Sequence, residues 1–231
     1  YYAVFNICEA GDHVILSSTV YGGTFNLLTV TMKKMGIECT IVDPDSDEET
    51  LKQYPFDFSL KVTYTLVENR VNIDYVIKNT GDKVMPFSFG LHPAFACPMG
   101  EGDFFDYHLE FPQEEYMKWY NHETGEFELR KEATKTIGLN YDELFATIML
   151  EDVKNPYVCL TNGKRGVEVG CAGYRWLAFW TKPNAPYVCI EPWWGINDNY
   201  DKKDDLSQKR EIMTLQPGEK KSFNWNIEIC E

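Results

Sequence analysis

The 231-residue chain carries 36 acidic and 22 basic side chains, and its formal net charge of −14 argues against binding to nucleic acids or anionic membranes. Hydrophobic residues make up 44% and aromatic residues 15%, which is enough for one large β domain or two small domains. The composition therefore favours a globular protein whose partner is a neutral or cationic small molecule.

Seven cysteines are spread along the chain without a Cys-x-x-Cys pair, and several lie in apolar stretches. This pattern is typical of buried thiols in a reducing compartment, and not of a disulfide framework or a zinc site. No apolar run approaches the roughly 18 residues that a membrane-spanning helix needs. We therefore expect a cytoplasmic protein without a signal peptide, a membrane span or a bound metal.

The first 45 or so residues have α/β character. Residues 12–17 predict a short strand, residues 25–35 an amphipathic helix that ends at Gly36, and residues 37–42 a second strand. The spacing assigns Lys33 and Lys34 to the solvent face of that helix. The segment therefore predicts one βαβ unit, whose two strands are parallel.

From about residue 54 the pattern changes to short alternating strands. Residues 58–66 and 71–78 alternate apolar and polar side chains around a turn at residues 68–70, which predicts a β-hairpin. Residues 198–211 predict a charged, exposed loop. Further strands are predicted at 106–111, 157–161, 166–170, 176–181, 187–191 and 222–229. This part therefore predicts a mainly β fold, an antiparallel β-sandwich or supersandwich.

Two ionisable residues lie among apolar and aromatic neighbours in this part. Glu191 belongs to the run Tyr-Val-Cys-Ile-Glu-Pro-Trp-Trp, and His92 to Phe-Gly-Leu-His-Pro-Ala-Phe. A carboxylate in such a strand either meets a donor or has its pKa raised toward neutrality. Each residue precedes a proline, which holds the backbone extended. The pair therefore predicts a general base and a general acid for a neutral substrate.

Residues 1–46 contain the motifs Cys-Glu-Ala-Gly-Asp-His at 8–13 and Ser-Ser-Thr-Val-Tyr-Gly-Gly-Thr at 17–24. They closely resemble pyridoxal-phosphate enzymes of cysteine and methionine metabolism, of the O-acetylhomoserine sulfhydrylase type. The resemblance implies that Tyr21 matches the tyrosine that stacks on the cofactor ring. The family's Schiff-base lysine and the aspartate that contacts the pyridine nitrogen lie in sequence that is absent here. We therefore expect a catalytically inactive fragment without a cofactor.

Residues 47–231 carry a second set of motifs, at 54–58, 79–83, 89–95 and 181–193. They closely resemble aldose 1-epimerase (galactose mutarotase-like) proteins, in particular the LacX-like branch. The resemblance implies interconversion of α and β anomers of an aldose without metal or organic cofactor, with Glu191 as base and His92 as acid. It also implies a second domain at 47–231, joined to the first near residues 43–49, and the absence of the family's first hundred or so residues.

Sugar binding is expected to use aromatic platforms and a few polar groups. Asp198 is a candidate hydroxyl ligand, although a turn-capping role is the alternative, and Arg175 is a candidate hydroxyl or phosphate ligand. Cys97 and Cys189 are interpreted as packing residues. The candidate platforms flank the proposed acid and base in sequence: Phe89, Phe95, Trp193 and Trp194.

Two alternatives remain open. By resemblance, the family also uses a second histidine and an arginine nearer its N-terminus, which have no counterpart here. The chain is therefore either an isomerase or a non-catalytic carbohydrate-binding domain on the same fold, and turnover distinguishes the two. The N-terminal motifs alone suggest a third reading, a fragment of a pyridoxal-phosphate sulfhydrylase, which predicts a visible absorbance band when the cofactor is added.

Overall fold

In the computed structural model, which describes residues 13–17, 33–35, 38–42, 55–121, 126–129, 133–196 and 205–230, the chain divides into two units. The first unit is Tyr1–Pro55 and the second is Phe56–Glu231. Among the described residues, no helix is long and apolar enough to cross a membrane.

The first unit contains one pair of described strands. Strands β1 (His13–Ser17) and β2 (Glu38–Val42) pair in parallel, with His13 opposite Glu38. This pairing confirms the two predicted strands and their predicted direction. The predicted helix lies outside the described residues except for Lys33–Met35, a short 3-10 turn in which Lys33 and Lys34 are exposed as expected.

The second unit contains fifteen described strands and one short helix, α1 (Tyr141–Phe145). In chain order the strands are β3 (Phe58–Val67), β4 (Arg70–Asn79), β5 (Met85–Phe87), β6 (Ala94–Ala96), β7 (His108–Glu115), β8 (Lys118–Asn121), β9 (Glu126–Leu129), β10 (Thr134–Gly138), β11 (Ile148–Glu151), β12 (Tyr157–Thr161), β13 (Gly166–Gly170), β14 (Trp176–Trp180), β15 (Tyr187–Trp193), β16 (Met213–Leu215) and β17 (Lys220–Cys230).

These strands form two large sheets. The seven-stranded sheet has the order β10-β7-β12-β13-β17-β4-β3, and the six-stranded sheet has the order β6-β15-β14-β11-β8-β9. Strands β5 and β16 form a separate pair. All strand pairs described in this unit are antiparallel. The predicted antiparallel β architecture is therefore confirmed.

The predicted hairpin is also confirmed. Strands β3 and β4 pair from Phe58 opposite Asn79 to Val67 opposite Arg70, so that two residues form the turn. The first of these, Glu68, has a φ of 53°, the left-handed conformation that such tight turns require. The strands that the sequence did not predict, β5, β6, β8–β11 and β16, have three to five residues each, too few for a clear alternation of side chains.

The main core lies between the two large sheets. Leu160 and Val169 contribute to it from the seven-stranded sheet, and Phe179 and Ile190 from the six-stranded sheet. The six-stranded sheet also buries residues on its other face, where a second cluster contains Met149, Trp176, Ala178 and Ile196, with Trp193 packed against it. Because alternate residues of a strand point to opposite faces, β14 and β15 have one set of side chains in the core and one set on this second face.

Strand β3 is the outermost strand of the seven-stranded sheet, and all ten of its residues are exposed. One of its faces is apolar, formed by Leu60, Val62, Tyr64 and Leu66, which are 37–73% exposed. An exposed apolar edge strand is a site at which chains associate through their backbone groups.

Candidate active site

Glu191 lies on the second face of the six-stranded sheet. It is in β15, directly opposite Ala178 of β14, and it is only 2% exposed. Burial disfavours the charged form of a carboxyl group, and it raises the pKa of Glu191 to about 8. A carboxyl group whose pKa lies near neutrality can both accept and return a proton under physiological conditions.

His92 lies in the segment between β5 and β6, which runs antiparallel to the end of β15. The backbone N–H of Leu91 donates to the carbonyl of Pro192 over 3.0 Å, and that of Ile190 donates to the carbonyl of Pro93 over 3.2 Å. These two bonds flank His92 and hold its Nε2 atom 3.5 Å from Oε1 of Glu191. The structure therefore brings together the two residues that the sequence predicted as acid and base.

In the His92–Glu191 pair, one side chain is exposed and the other is buried. The side chain of His92 is 61% exposed, whereas that of Glu191 is 3% exposed. An imidazole at the surface thus lies beside a carboxyl group that is shielded from solvent.

Cys189 lies two residues before Glu191 on the same face of β15 and is also buried. Burial, together with the nearby negative charge of Glu191, raises the pKa of the Cys189 thiol to about 12. Cys189 is therefore a neutral thiol at physiological pH rather than a nucleophilic thiolate.

Two tryptophans on this face flank the pair. Trp193 is half-buried against the cluster that contains Trp176. Trp180 lies edge-on to the His92 ring, with 6.1 Å between the ring centroids. Trp180 was not among the site residues predicted from the sequence. Alternation along β14 was enough to place it on the same face as Ala178, but only the register between β14 and β15 shows that this face also carries Glu191.

The other three aromatic candidates pack against the main core. Phe89 stacks on Phe223 with 4.4 Å between ring centroids, and Trp194 lies 5.7 Å from the same ring. Phe95 pairs with Val188, whose side chain is in the core. Their contact with a sugar stays a prediction.

Arg175 lies immediately before β14 and is engaged with three carboxylates. Its guanidinium group lies 3.1 Å from Glu211, 3.3 Å from Glu151 and 3.3 Å from Asp152. It also lies over the ring of Trp176 at 5.6 Å. Its predicted role toward a ligand is untested, as are those of Asp198 and Tyr21, which lie outside the described residues.

Comparison with known proteins assigns the chain to a family. The family model of aldose 1-epimerase matches residues 16–228. The chain belongs to the aldose 1-epimerase family. The match begins upstream of residue 47, where the sequence resemblance to this family was expected to start.

Individual relatives agree with the family assignment. The plasmid-encoded protein LacX of Lactococcus lactis subsp. lactis is 30% identical over 195 residues, which cover 78% of this chain and 65% of LacX. The crystal structure of a galactose mutarotase-like protein from Lactobacillus casei ATCC 334 is 26% identical with a TM-score of 0.71, over 80% of this chain and 67% of that protein. This aldose 1-epimerase family member thus spans about two thirds of the length of these relatives.

A shorter stretch of the chain is similar to a different class of enzyme. Over 50 residues the chain is 46% identical to cystathionine gamma-lyase from Bacillus subtilis, which covers 22% of this chain and 13% of that enzyme. This confirms that a short part of the chain resembles enzymes of cysteine and methionine metabolism, in addition to its membership of the aldose 1-epimerase family.

Proposed function

We propose that this chain interconverts the α and β anomers of a free, neutral aldose by acid–base catalysis, with Glu191 as the base and His92 as the acid. The observation that carries the proposal is the 3.5 Å separation of His92 Nε2 and Glu191 Oε1, in a pair with one buried and one exposed member. Membership of the aldose 1-epimerase family supports the same chemistry.

The close spacing suits the substrate. In a cyclic aldose the anomeric hydroxyl oxygen and the ring oxygen are bonded to the same carbon, C1. An acid and a base that act on these two oxygens must therefore lie close together and face the same side of the substrate. Glu191 and His92 meet this requirement because their reactive atoms are adjacent at the end of β15.

The reaction proceeds in two balanced halves. The Glu191 carboxylate takes the proton of the C1 hydroxyl while protonated His92 gives its Nε2 proton to the ring oxygen, so that the bond from C1 to the ring oxygen breaks and an aldehyde forms. The C1–C2 bond then rotates by half a turn. In the second half His92 removes the proton of the released hydroxyl, Glu191 returns its proton to the aldehyde oxygen, and the ring closes as the other anomer.

The environment of Glu191 supports its role as base. Because burial raises its pKa to about 8, its basicity is higher than that of an ordinary carboxylate. Each positioned acid or base typically contributes about 10²–10⁴-fold to such a reaction. Since the base acts in its deprotonated form and the acid in its protonated form, the pair is active when it holds one proton, and we expect the exchange rate to fall at both low and high pH.

The charges around the pair support a neutral sugar. The chain has a net charge of −14, and the guanidinium group of Arg175 is already balanced by three carboxylates. Trp193 and Trp180 offer apolar surfaces that suit a sugar ring.

Anomer exchange of galactose and glucose, measured by NMR with the full chain in the presence of a chelator, tests the proposal. We expect exchange above the spontaneous rate, with a loss of about 10²–10⁴-fold in the Glu191→Gln and His92→Asn variants. Circular dichroism of each variant verifies that it is folded. Because His92 is exposed, we expect its substitution to leave the core intact.

A second histidine–glutamate pair provides matched controls. Nε2 of His108 lies 3.6 Å from Oε2 of Glu110, but this pair belongs to the seven-stranded sheet and its glutamate is 55% exposed. The His108→Asn and Glu110→Gln variants are therefore expected to retain full activity. Exchange at the spontaneous rate in a folded wild-type chain, or full activity of Glu191→Gln, would contradict the proposal. Sugar binding without exchange would favour the carbohydrate-binding alternative.

A further inference from the structure

Three different metal-ligand types meet at the candidate site. One ligand atom each from His92, Cys189 and Glu191 lie within 4.8 Å of one another. Within the part of the chain that the structure describes, this is the one group of three histidine, cysteine or acidic residues with such spacing. No sequence motif indicates this group, because His92 is separated from the other two residues by almost a hundred positions.

The backbone pre-organises two of the three ligands. Cys189 and Glu191 are two residues apart in β15, so their side chains point to the same face of the sheet. Both are held in a buried, well-packed strand that pairs with β14. His92 approaches from the neighbouring segment and is exposed, which leaves an open side through which a cation and a water molecule can enter.

The distance between two of the ligand atoms fits a small tetrahedral cation. Bonds of about 2.0–2.3 Å from zinc to nitrogen, oxygen and sulfur imply ligand atoms about 3.3–3.8 Å apart. The separation of His92 Nε2 from Glu191 Oε1 is 3.5 Å, within this range. One imidazole, one thiolate and one carboxylate suit borderline-soft divalent ions such as Zn²⁺ and Co²⁺, and not the hard ions Mg²⁺ and Ca²⁺.

We propose that His92, Cys189 and Glu191 form a site for a zinc-type divalent cation, with solvent as the fourth ligand. As the cation binds, the bond from sulfur to hydrogen is replaced by a bond from sulfur to metal, Glu191 binds as a carboxylate, and the protons of both groups leave to solvent. The bound cation engages both His92 and Glu191, which are the proposed acid and base. It is therefore an inhibitor of anomer exchange, and this consequence alone rests on the proposed function.

Cobalt binding tests the site without reference to turnover. The full chain, reduced with a reagent that does not bind metals, is titrated with Co²⁺ while the near-ultraviolet charge-transfer band from thiolate to cobalt is recorded. We expect one cobalt ion per chain, displaced by Zn²⁺. The band should vanish in Cys189→Ala, and binding should weaken at least tenfold in His92→Asn and Glu191→Gln, since even the loss of an outer-sphere partner of a metal ligand weakens binding about 10–100-fold.

The Cys159→Ala variant is the matched control. Cys159 is half-buried in β12 of the seven-stranded sheet, away from β15, so the band should be unchanged when it is removed. His92→Asn keeps the test decisive if Cys189→Ala fails to fold, because His92 is exposed.

Three results would overturn the site: no band in the wild-type chain, a band that survives in Cys189→Ala, or one that is unaffected by His92→Asn. The two experiments distinguish a failure of the metal-site proposal from a failure of the proposed function. A chain that exchanges anomers but shows no cobalt band lacks only the metal site, and a chain with the band but no exchange lacks only the isomerase activity.

Discussion

The indole Nε1 of Trp193 donates a 2.9 Å hydrogen bond to the backbone carbonyl of Leu91. Leu91 directly precedes His92, and Trp193 follows Glu191 by two residues. The bond therefore connects the segment that carries the proposed acid to the strand that carries the proposed base. Trp193 thus has a positioning role that does not depend on contact with a sugar.

The Trp193→Phe variant separates these two roles. Phenylalanine keeps an aromatic ring for packing but cannot donate to Leu91. A typical hydrogen bond contributes about 0.5–1.5 kcal/mol, so we expect kcat for anomer exchange to fall by up to about tenfold while KM changes little. Polarimetry at several sugar concentrations measures both constants. A rise in KM with an unchanged kcat would instead assign Trp193 to sugar binding alone.

Gly90 allows close contact between the same two segments. It forms an isolated bridge with Trp193, and a Cβ atom at position 90 would lie 2.8 Å from Cδ1 of that ring. We expect Gly90→Ala to shift Trp193, to lower the free energy of unfolding by about 1–3 kcal/mol and to reduce exchange. Urea unfolding and the NMR assay measure the two effects.

The matched control for this variant is Gly138→Ala. Gly138 lies in β10, and a Cβ atom there would have no heavy atom within 4 Å. Stability and exchange should therefore stay near the wild-type values. Equal effects of the two substitutions would show that the contact between residue 90 and Trp193 is unimportant.

The raised pKa of Glu191 predicts a pH-dependent stability. The folded protein retains the Glu191 proton up to about pH 8, whereas an ordinary glutamate releases it near pH 4.5. Between these values the folded state binds more protons than the unfolded state, so this group lowers stability as pH rises through the window. His92 and Cys189 are the titratable neighbours in the described structure.

Glu191→Gln removes this titration. The stability of the wild-type chain relative to the variant is therefore expected to fall by on the order of a few kcal/mol between about pH 5 and pH 8. Denaturant unfolding at several pH values, with a chelator present, measures the difference. A difference that is constant across the range, or that grows in favour of the wild-type chain, would contradict the buried position of this carboxyl group.

The exposed face of β3 predicts a route to association. Leu66 is 73% exposed on this outermost strand, so Leu66→Lys should change the free energy of unfolding by less than about 0.5 kcal/mol while it raises solubility. Phe145→Lys is the control, because Phe145 is 55% exposed but lies in α1. Light scattering at increasing concentration should improve only with the β3 substitution. Equal improvement in both variants would point to a general effect of charge.

Local patterns in the sequence were sufficient to predict the hairpin of β3 and β4 and the bounds of β12 and β13. In these segments alternation and turn residues act over a few neighbouring positions. The same local information was insufficient for β5, β6 and β16, each of three residues. Such strands form because distant segments of the chain complete their backbone hydrogen bonds. A pattern of three residues is too short to predict this pairing.

Local sequence patterns were enough to identify the chemically unusual residues. Glu191 was recognisable because a carboxyl group in an apolar, β-branched strand has a perturbed environment once that strand is buried, and His92 because it is the one ionisable residue in its aromatic-rich segment. Their partners depend on the three-dimensional fold, because strand register sets which side chains share a face, and register depends on contacts between distant segments. That register brings Cys189 and Trp180 to the face of Glu191 and directs Phe89, Phe95 and Trp194 to the main core.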